Sequence, residues 1–182
     1  MEITERELAV LNFYRASELQ GGLILGRLVE HVRDPELIVR LTAHSAEEVM
    51  HAQLWTETIV AVGGRPRPTS DTYQSRYAAA IGTPASLVEV LALTQVFERG
   101  VYRHFVRHLR RAGTHRRVQA TLRRMLDDER GHLSWVQEWL RRQTGARRAA
   151  IPALMRRFGA VDAAIHQQLL LDYEWEELAC AS

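Results

Sequence analysis

The sequence predicts an all-α protein built on a bundle of four long helices, and three observations support this prediction. Apolar residues recur every three or four positions over four long stretches, which is the spacing of one helix face. Signals that start and stop helices separate these stretches. A spaced pattern of Glu and His also occurs twice, about 80 residues apart. The sequence therefore predicts helices whose buried faces carry ionisable groups.

The first predicted helix runs from Thr4 to about Arg33 and carries Glu18 on its apolar face. A carboxylate on such a face must be paired or bound. Gly21 and Gly22 follow within about one turn, and each glycine costs about 1 kcal/mol relative to alanine inside a helix. Two interpretations would offset this cost: close packing against a neighbouring helix, or space beside a metal for oxygen or a substrate.

The second predicted helix covers residues 34–62, with an Asp-Pro start signal and two glycines after its end. One side carries His44, Glu48 and His51. We predict that His44 supports the site or the core, and a direct ligand role is the alternative. The following stretch, residues 65–82, is too long for a tight turn. Its length favours one long crossover, so that the second and third helices run parallel.

The third predicted helix covers residues 83–112 and places Glu98 on its inner face. Tyr102 lies one turn from Glu98, as Tyr14 lies one turn from Glu18. Either phenol could hydrogen-bond a ligand carboxylate or act as a redox-active neighbour. A core tyrosine with a satisfied hydroxyl is the more common arrangement.

The third predicted helix also carries His104 and His108, which are four residues apart. A pair with this spacing could bind zinc. Both histidines point away from Glu98 and stand among arginines, so we predict a solvated pair. We therefore exclude them from the predicted site.

The fourth predicted helix has Thr114 as its N-cap, continues until Gly145, and carries Glu129 and His132 on its apolar side. Residues 146–179 then predict one or two further helices without a recognisable motif. This extension could cover the bundle, gate the site or contact a second copy of the chain. Its last part is acidic, with three glutamates at Glu174, Glu176 and Glu177.

The chain of 182 residues predicts a single domain spanning residues 1–182, with the bundle at about 4–143. No apolar run is long enough to span a bilayer, and the N-terminus does not resemble a signal peptide. We therefore expect a cytoplasmic protein that does not bind membranes. The single Cys180 excludes a disulfide framework within the chain and a thiolate metal cluster.

A glutamate stands three residues before a histidine at Glu48–His51 and again at Glu129–His132. On a helix, residues with this spacing share a face, so each pair forms a bidentate metal-binding unit. A lone glutamate precedes each unit by 30 or 31 residues. Because a helix rises about 1.5 Å per residue and the chain breaks midway, each lone glutamate lies level with its unit in a hairpin. The six predicted metal-binding and catalytic residues are Glu18, Glu48, His51, Glu98, Glu129 and His132.

Four buried carboxylates at one level of a core repel one another and lose hydration, so they require cations. Two divalent ions balance this charge, and a site rich in oxygen ligands suits Fe or Mn. We predict that Glu48 and Glu129 each bridge the two ions. Glu18 and His51 then complete the ligands of one ion, and Glu98 and His132 complete those of the other. The neighbouring acids Glu47 and Asp128 are candidate partners for histidine Nδ1–H groups. Solvent exposure is the alternative for both acids.

These six residues, with the Gly-Gly-Arg-Pro segment at residues 63–66, resemble the ferritin-like superfamily of bacterioferritins, rubrerythrins and di-iron oxygenases. The resemblance covers about residues 4–143. It implies a ferritin-like four-helix bundle with one crossover and two iron ions, with manganese possible at one or both positions. Rubrerythrins carry an extra glutamate where this chain has Gln95 and Val101, and usually a Cys-rich iron domain, which is absent here. Ferritins end sooner after the fourth helix.

By elimination, the chain resembles small di-iron oxygenases, which have a similar ligand set. This implies an O2-dependent oxidase or hydroxylase of a small, largely apolar metabolite, with an external electron donor and a possible homodimer. The first alternative is a ferroxidase, peroxidase or iron-storage protein. Another is a metal-free helical interaction module. A tRNA-modifying hydroxylase is a further alternative because arginines line the third and fourth helices: Arg103, Arg107, Arg110, Arg111, Arg116, Arg117, Arg123 and Arg124.

Overall fold

The computed structural model describes residues 3–173, and this part of the chain contains six helices and no strand. The prediction of an all-α protein is confirmed for these residues. None of the described helices combines the length and apolar character needed to cross a bilayer. The helices are α1 (Glu5–Val29), α2 (Pro35–Ala61), α3 (Tyr73–Ile81), α4 (Leu87–Arg110), α5 (Arg116–Arg141) and α6 (Gly145–Asp172).

The chain groups into two compact units. Of the described residues, the first unit contains 3–76 with His115–Thr121, and the second contains Tyr77–Thr114 with 122–173. Helices α1 and α2 pack against each other in the first unit, and α4 packs against α6 in the second.

The start signals of α1 and α2 act as predicted. Thr4 Oγ1 accepts a hydrogen bond of 3.1 Å from the backbone N–H of Glu7. The Asp34 carboxylate accepts from the backbone N–H of Glu36 at 3.0 Å, directly before Pro35 begins α2. These bonds satisfy backbone donors that have no partner within the helix.

Gly22 is the point of closest approach between α1 and α2. Ser45 Oγ donates a hydrogen bond of 2.7 Å to the carbonyl oxygen of Gly22. A Cβ atom on Gly22 would lie only 2.8 Å from Val49 Cγ2 and 2.9 Å from the Ser45 carbonyl oxygen. For this glycine, the interpretation of close helix packing is the one that the geometry supports.

Replacing Gly22 with alanine is therefore expected to lower the free energy of unfolding by about 1–3 kcal/mol, because the added methyl group meets backbone that cannot move aside. Gly159 is the matched control, since it is also helical and a Cβ atom there would meet nothing within 4 Å. Gly159→Ala should be neutral or stabilising by up to about 1 kcal/mol. Urea unfolding of both variants measures the difference, and equal stability would show that α1 and α2 tolerate the methyl group.

Three local predictions, one about a connection and two about helix ends, are wrong. The predicted connection at residues 65–82 contains a helix, α3, that the sequence analysis did not anticipate. Helix α4 begins at Leu87 with Ser86 as its N-cap, rather than at Thr83. The Thr114 hydroxyl donates to the His108 carbonyl at 3.0 Å, so it closes α4 instead of capping α5.

The extension after α5 forms one continuous helix, α6, up to Asp172. The part of the predicted extension beyond residue 173 lies outside the described residues. This part includes Glu174, Glu176, Glu177 and Cys180.

Within the second unit, Asp162 connects α6 to α3 and α4. Its buried carboxylate accepts hydrogen bonds from the Tyr77 hydroxyl at 2.5 Å and from Arg103 Nη2 at 2.7 Å. His166 Nε2 lies 3.4 Å from the same carboxylate. Gly100 has no side chain at this point of α4, where a Cβ atom would collide with Asp162. The buried Asp162 carboxylate thus holds α6 on α4 through an ion pair and hydrogen bonds.

The prediction that His104 and His108 are solvated is wrong, because both side chains are buried. Helix α6 packs against α4, and the rings of His104 and His166 meet edge to face with centroids 5.6 Å apart. Burial lowers the pKa of His104 well below its usual value of 6.5, and the neighbouring His166, His108 and Arg107 lower it further. His104 is therefore held neutral in the folded protein.

A pH dependence of stability follows from this lowered pKa of His104. As the pH falls through about 6.5, His104 takes up a proton in the unfolded chain but not in the folded protein. The contribution of His104 to the free energy of unfolding is therefore present above this pH and is lost below it. The slope contributed by one proton is at most about 1.4 kcal/mol per pH unit. Unfolding of the metal-free protein between pH 7.5 and 5 should show a shallower slope for His104→Gln. His31→Gln, at an exposed position, is the control and should leave the slope unchanged.

Candidate metal centre

Three predicted ligands meet in the first unit, and we call Glu18, Glu48 and His51 the first half-site. Helix α1 supplies Glu18, and α2 supplies the other two residues. All three side chains are buried. Each offers one potential ligand atom, and these atoms lie within 4.8 Å of one another. Glu18 Oε2 is 3.8 Å from His51 Nδ1, and two atoms bound to one ion at about 2.1 Å can be at most about 4 Å apart.

The antiparallel register of α1 and α2 brings these ligands together. Gly22 lies against Ser45, and Glu18, one turn earlier on α1, lies near His51, almost two turns later on α2. Residue numbers thus fall along one helix as they rise along the other. The prediction that Glu18 lies level with its Glu-x-x-His unit is confirmed within this unit.

His44 lies one turn before Glu48 on α2 and is fully buried. Its Nε2 atom is 3.1 Å from Glu48 Oε1. One oxygen of the Glu48 carboxylate is thus engaged by His44. This contact suits the supporting role predicted for His44, which remains a prediction.

In the second unit, Glu98, Glu129 and His132 form what we call the second half-site. Helix α4 supplies Glu98, and α5 supplies the other two residues. All three are buried, with exposed fractions of 3%, 1% and 1%. Potential ligand atoms of Glu98 and His132 lie within 4.8 Å of each other. His132 Nδ1 is 3.3 Å from Glu129 Oε2.

The tyrosines predicted to support the site differ in their environments. Tyr14 is buried and packs against Trp55 with ring centroids 5.1 Å apart. Tyr102 is half-buried, and its hydrogen bond to Arg130 raises the pKa of that guanidinium. Tyr14 therefore belongs to the core of the first unit, whereas Tyr102 reaches a side chain at the surface.

The two neighbouring acids, Glu47 and Asp128, are both exposed. Solvent exposure is the alternative that the sequence analysis gave for both acids.

The donors of both half-sites suit a hard or borderline divalent cation. Each half-site combines two carboxylates with one imidazole and contains no thiolate. A buried carboxylate is costly to keep charged unless a cation or hydrogen-bond donors compensate it. Oxygen and nitrogen donors in this ratio fit iron or manganese.

Gln74 lies beside the first half-site, and the sequence analysis missed it. It belongs to α3, which was predicted to be part of a connection. The local sequence signal for the start of α3 is the pair Thr72 and Ser75. The backbone N–H of each residue donates a hydrogen bond to the hydroxyl oxygen of the other. Contacts with α1 stabilise α3, and such long-range contacts cannot be read from a nine-residue segment.

The chain has no match among protein-family models, among curated proteins or among solved structures.

Proposed function

We propose that the two half-sites together form one dinuclear iron centre that activates O2. The observation that carries this proposal is the burial of four carboxylates and two imidazoles on the described helices. The sequence repeat supports it, because the second half-site repeats the residue types and spacing of the first. Four carboxylates and two neutral imidazoles would balance the charge of two divalent ions.

The proposed fold for this centre is the ferritin-like four-helix bundle, formed by α1, α2, α4 and α5, with α3 in the crossover. In such bundles, two helices each give one glutamate and the other two each give a Glu-x-x-His unit. The distribution of the six residues over these four helices matches that scheme. Glu48 and Glu129 would bridge the ions, Glu18 and His51 would complete one ion, and Glu98 and His132 would complete the other.

When bound, two ferrous ions would supply electrons for the reduction of O2, and an external electron donor would return the iron to the ferrous state. The protein's own residues hold and orient the ligands. His44 fixes one carboxylate oxygen of Glu48. Leu11, Leu41 and Trp55 are fully buried on the ligand-bearing faces of α1 and α2 and exclude bulk water from the first half-site. This apolar surrounding favours a small, largely apolar metabolite as the substrate.

The proposed activity is tested by loading the protein with Fe(II) under anaerobic conditions and then admitting air. Consumption of O2 within minutes, ending when the bound iron is oxidised, would support an oxygenase. Continued oxidation of added Fe(II), together with a large hollow oligomer in solution, would instead identify a ferroxidase. Absence of any reaction with O2 would contradict the proposed function.

His44 gives a separate prediction about metal affinity. Replacing it with alanine should weaken Fe(II) binding about 10- to 100-fold, because loss of a partner that orients a metal ligand has this typical effect. The same substitution at the exposed His31 is the control and should leave the affinity unchanged. Anaerobic Fe(II) titration measures both. A drop in the number of bound ions, rather than in affinity, would show that His44 is itself a ligand.

A further inference from the structure

The stretch of the chain at residues 99–126 carries positive charge that no acidic residue within it compensates. It contains nine arginines and no aspartate or glutamate. The proposed metal centre uses none of these arginines. Helix α4 supplies four of them: Arg99, Arg103, Arg107 and Arg110.

These four arginines form a row on one face of α4, which we call the arginine stripe. They follow one another in steps of four, four and three residues, and side chains with this spacing share a helix face. Among positions 99–110, all of which the structure describes, they are the only exposed residues. Since a helix rises about 1.5 Å per residue, the stripe is about 16 Å long.

Most of the charge of the stripe is not neutralised by the described part of the protein. Arg103 Nη2 donates a hydrogen bond of 2.7 Å to the buried Asp162 carboxylate. No hydrogen bond or ion pair joins Arg99, Arg107 or Arg110 to a described residue. Like charges one turn apart on a helix repel each other and lower its stability slightly. An anionic partner that binds along the stripe would remove this repulsion.

The stripe offers hydrogen-bonding groups that suit phosphate. A guanidinium can donate two parallel hydrogen bonds to one phosphate group. Phosphates also line the surface of an anionic membrane, but a helix that binds there exposes large apolar side chains beside its basic ones. The exposed positions of the stripe carry no apolar side chain. A nucleic acid therefore fits the stripe better than a membrane does.

A double strand fits the stripe better than a single strand. Proteins hold single strands largely by stacking the bases on aromatic rings. Tyr102, beside Arg103 in the sequence, is half-buried and hydrogen-bonded to Arg130, and none of the exposed positions of the stripe is aromatic. A duplex carries about one negative charge per 1.7 Å of its axis, so a row of about 16 Å lies opposite several phosphates.

We propose that the arginine stripe binds the phosphate backbone of double-stranded nucleic acid. Arginine donates hydrogen bonds but accepts none, so the stripe cannot recognise the hydrogen-bond donors of the bases. We therefore expect binding that depends little on base sequence, and little on whether the duplex is DNA or RNA. The stripe lies outside both half-sites, so this inference goes beyond the proposed function and does not depend on bound metal.

Fluorescence anisotropy of a labelled DNA duplex of about 20 base pairs measures this binding to the full-length chain. With three to four phosphate contacts, the affinity should fall roughly 60-fold between about 50 and 200 mM salt. The triple variant Arg99→Gln, Arg107→Gln and Arg110→Gln should bind at least about 20-fold more weakly at the lower salt concentration and lose most of the salt dependence. Arg103 is kept in this variant because it holds Asp162.

A second triple variant removes the same charge from the first unit, where Arg27, Arg33 and Arg40 are exposed. With glutamine at these three positions, the affinity for the duplex should stay within about threefold of the wild type, because these arginines lie outside the stripe. Circular dichroism should show the same helix content in both triple variants. Both should also bind as many Fe(II) ions as the wild type, which separates this inference from the proposed function.

Absence of duplex binding at the lower salt concentration would overturn the proposal, as would equal weakening in the two triple variants. A preference of more than about tenfold for one base sequence, or for DNA over RNA, would contradict binding through the backbone alone. Tighter binding to vesicles of phosphatidylserine and phosphatidylcholine than to the duplex would instead identify a membrane as the partner.

Discussion

Replacing Glu48 with alanine is expected to abolish stable binding of both metal ions. Glu48 is 2% exposed, lies within reach of Glu18 and His51, and is held by His44. As the proposed bridge, its carboxylate contributes to both ions, so its loss removes a ligand from each. We expect Fe(II) binding under anaerobic conditions to weaken at least 100-fold and O2 consumption to disappear.

The adjacent residue offers a matched control for this variant. Glu47 is also a glutamate on α2, but its side chain is exposed. Glu47→Ala should bind two ions with wild-type affinity. Glu48→Gln removes the charge but keeps the shape of the side chain, so it separates loss of the charge from a failure to fold. Circular dichroism of the metal-free variants should show unchanged helix content. Two tightly bound ions in Glu48→Ala would contradict the role of Glu48.

Replacing Asp162 with alanine is expected to have the largest effect on stability. The Asp162 carboxylate is 3% exposed and accepts hydrogen bonds from Tyr77 and Arg103. Because the Arg103 side chain is 59% exposed, water can replace part of its interaction. Loss of the acceptor for the buried Tyr77 hydroxyl dominates, and the total cost is about 2–3 kcal/mol. For a chain of this length, the midpoint of thermal unfolding should fall by about 4–12 °C.

Asp172 provides the control on the same helix. Its exposed carboxylate accepts a hydrogen bond from Gln168 at 2.8 Å. Asp172→Ala should change the unfolding midpoint by less than about 2 °C, since exposed pairs contribute little. Calorimetry of both metal-free variants makes the comparison. Equal unfolding midpoints for Asp162→Ala and Asp172→Ala would show that the contacts of Asp162 do not stabilise the packing of α6.

The sequence predicted the ligand-bearing faces well, because helical spacing alone determines which side chains share a face. Glu18, Glu48 and His51 are buried on the faces predicted for them, and so are the three residues of the second half-site. Spacing along one helix is a local property, and the register of α1 on α2 follows from a short connection between them. Which ion is bound, and what it oxidises, depends on chemistry that the spacing does not encode.

The failures of prediction came from contacts between segments distant in sequence. His104 and His108 were predicted to be solvated because the sequence does not show that α6 packs on that face of α4. Helix α3 was missed because its stability depends on Thr72, Tyr73 and Gln74 docking on α1. In both cases the contact that decided the outcome lies outside the local sequence, so the local pattern alone does not show it.

The separation between the two bound ions tests the central claim most directly. X-ray absorption of the protein loaded anaerobically with two equivalents of Fe(II) measures this separation. A dinuclear centre formed from both half-sites predicts two ions per chain and an iron–iron distance of about 3.5–4 Å. Two ions without an iron–iron signal at this distance, or a single ion per chain, would contradict the claim that the half-sites form one centre.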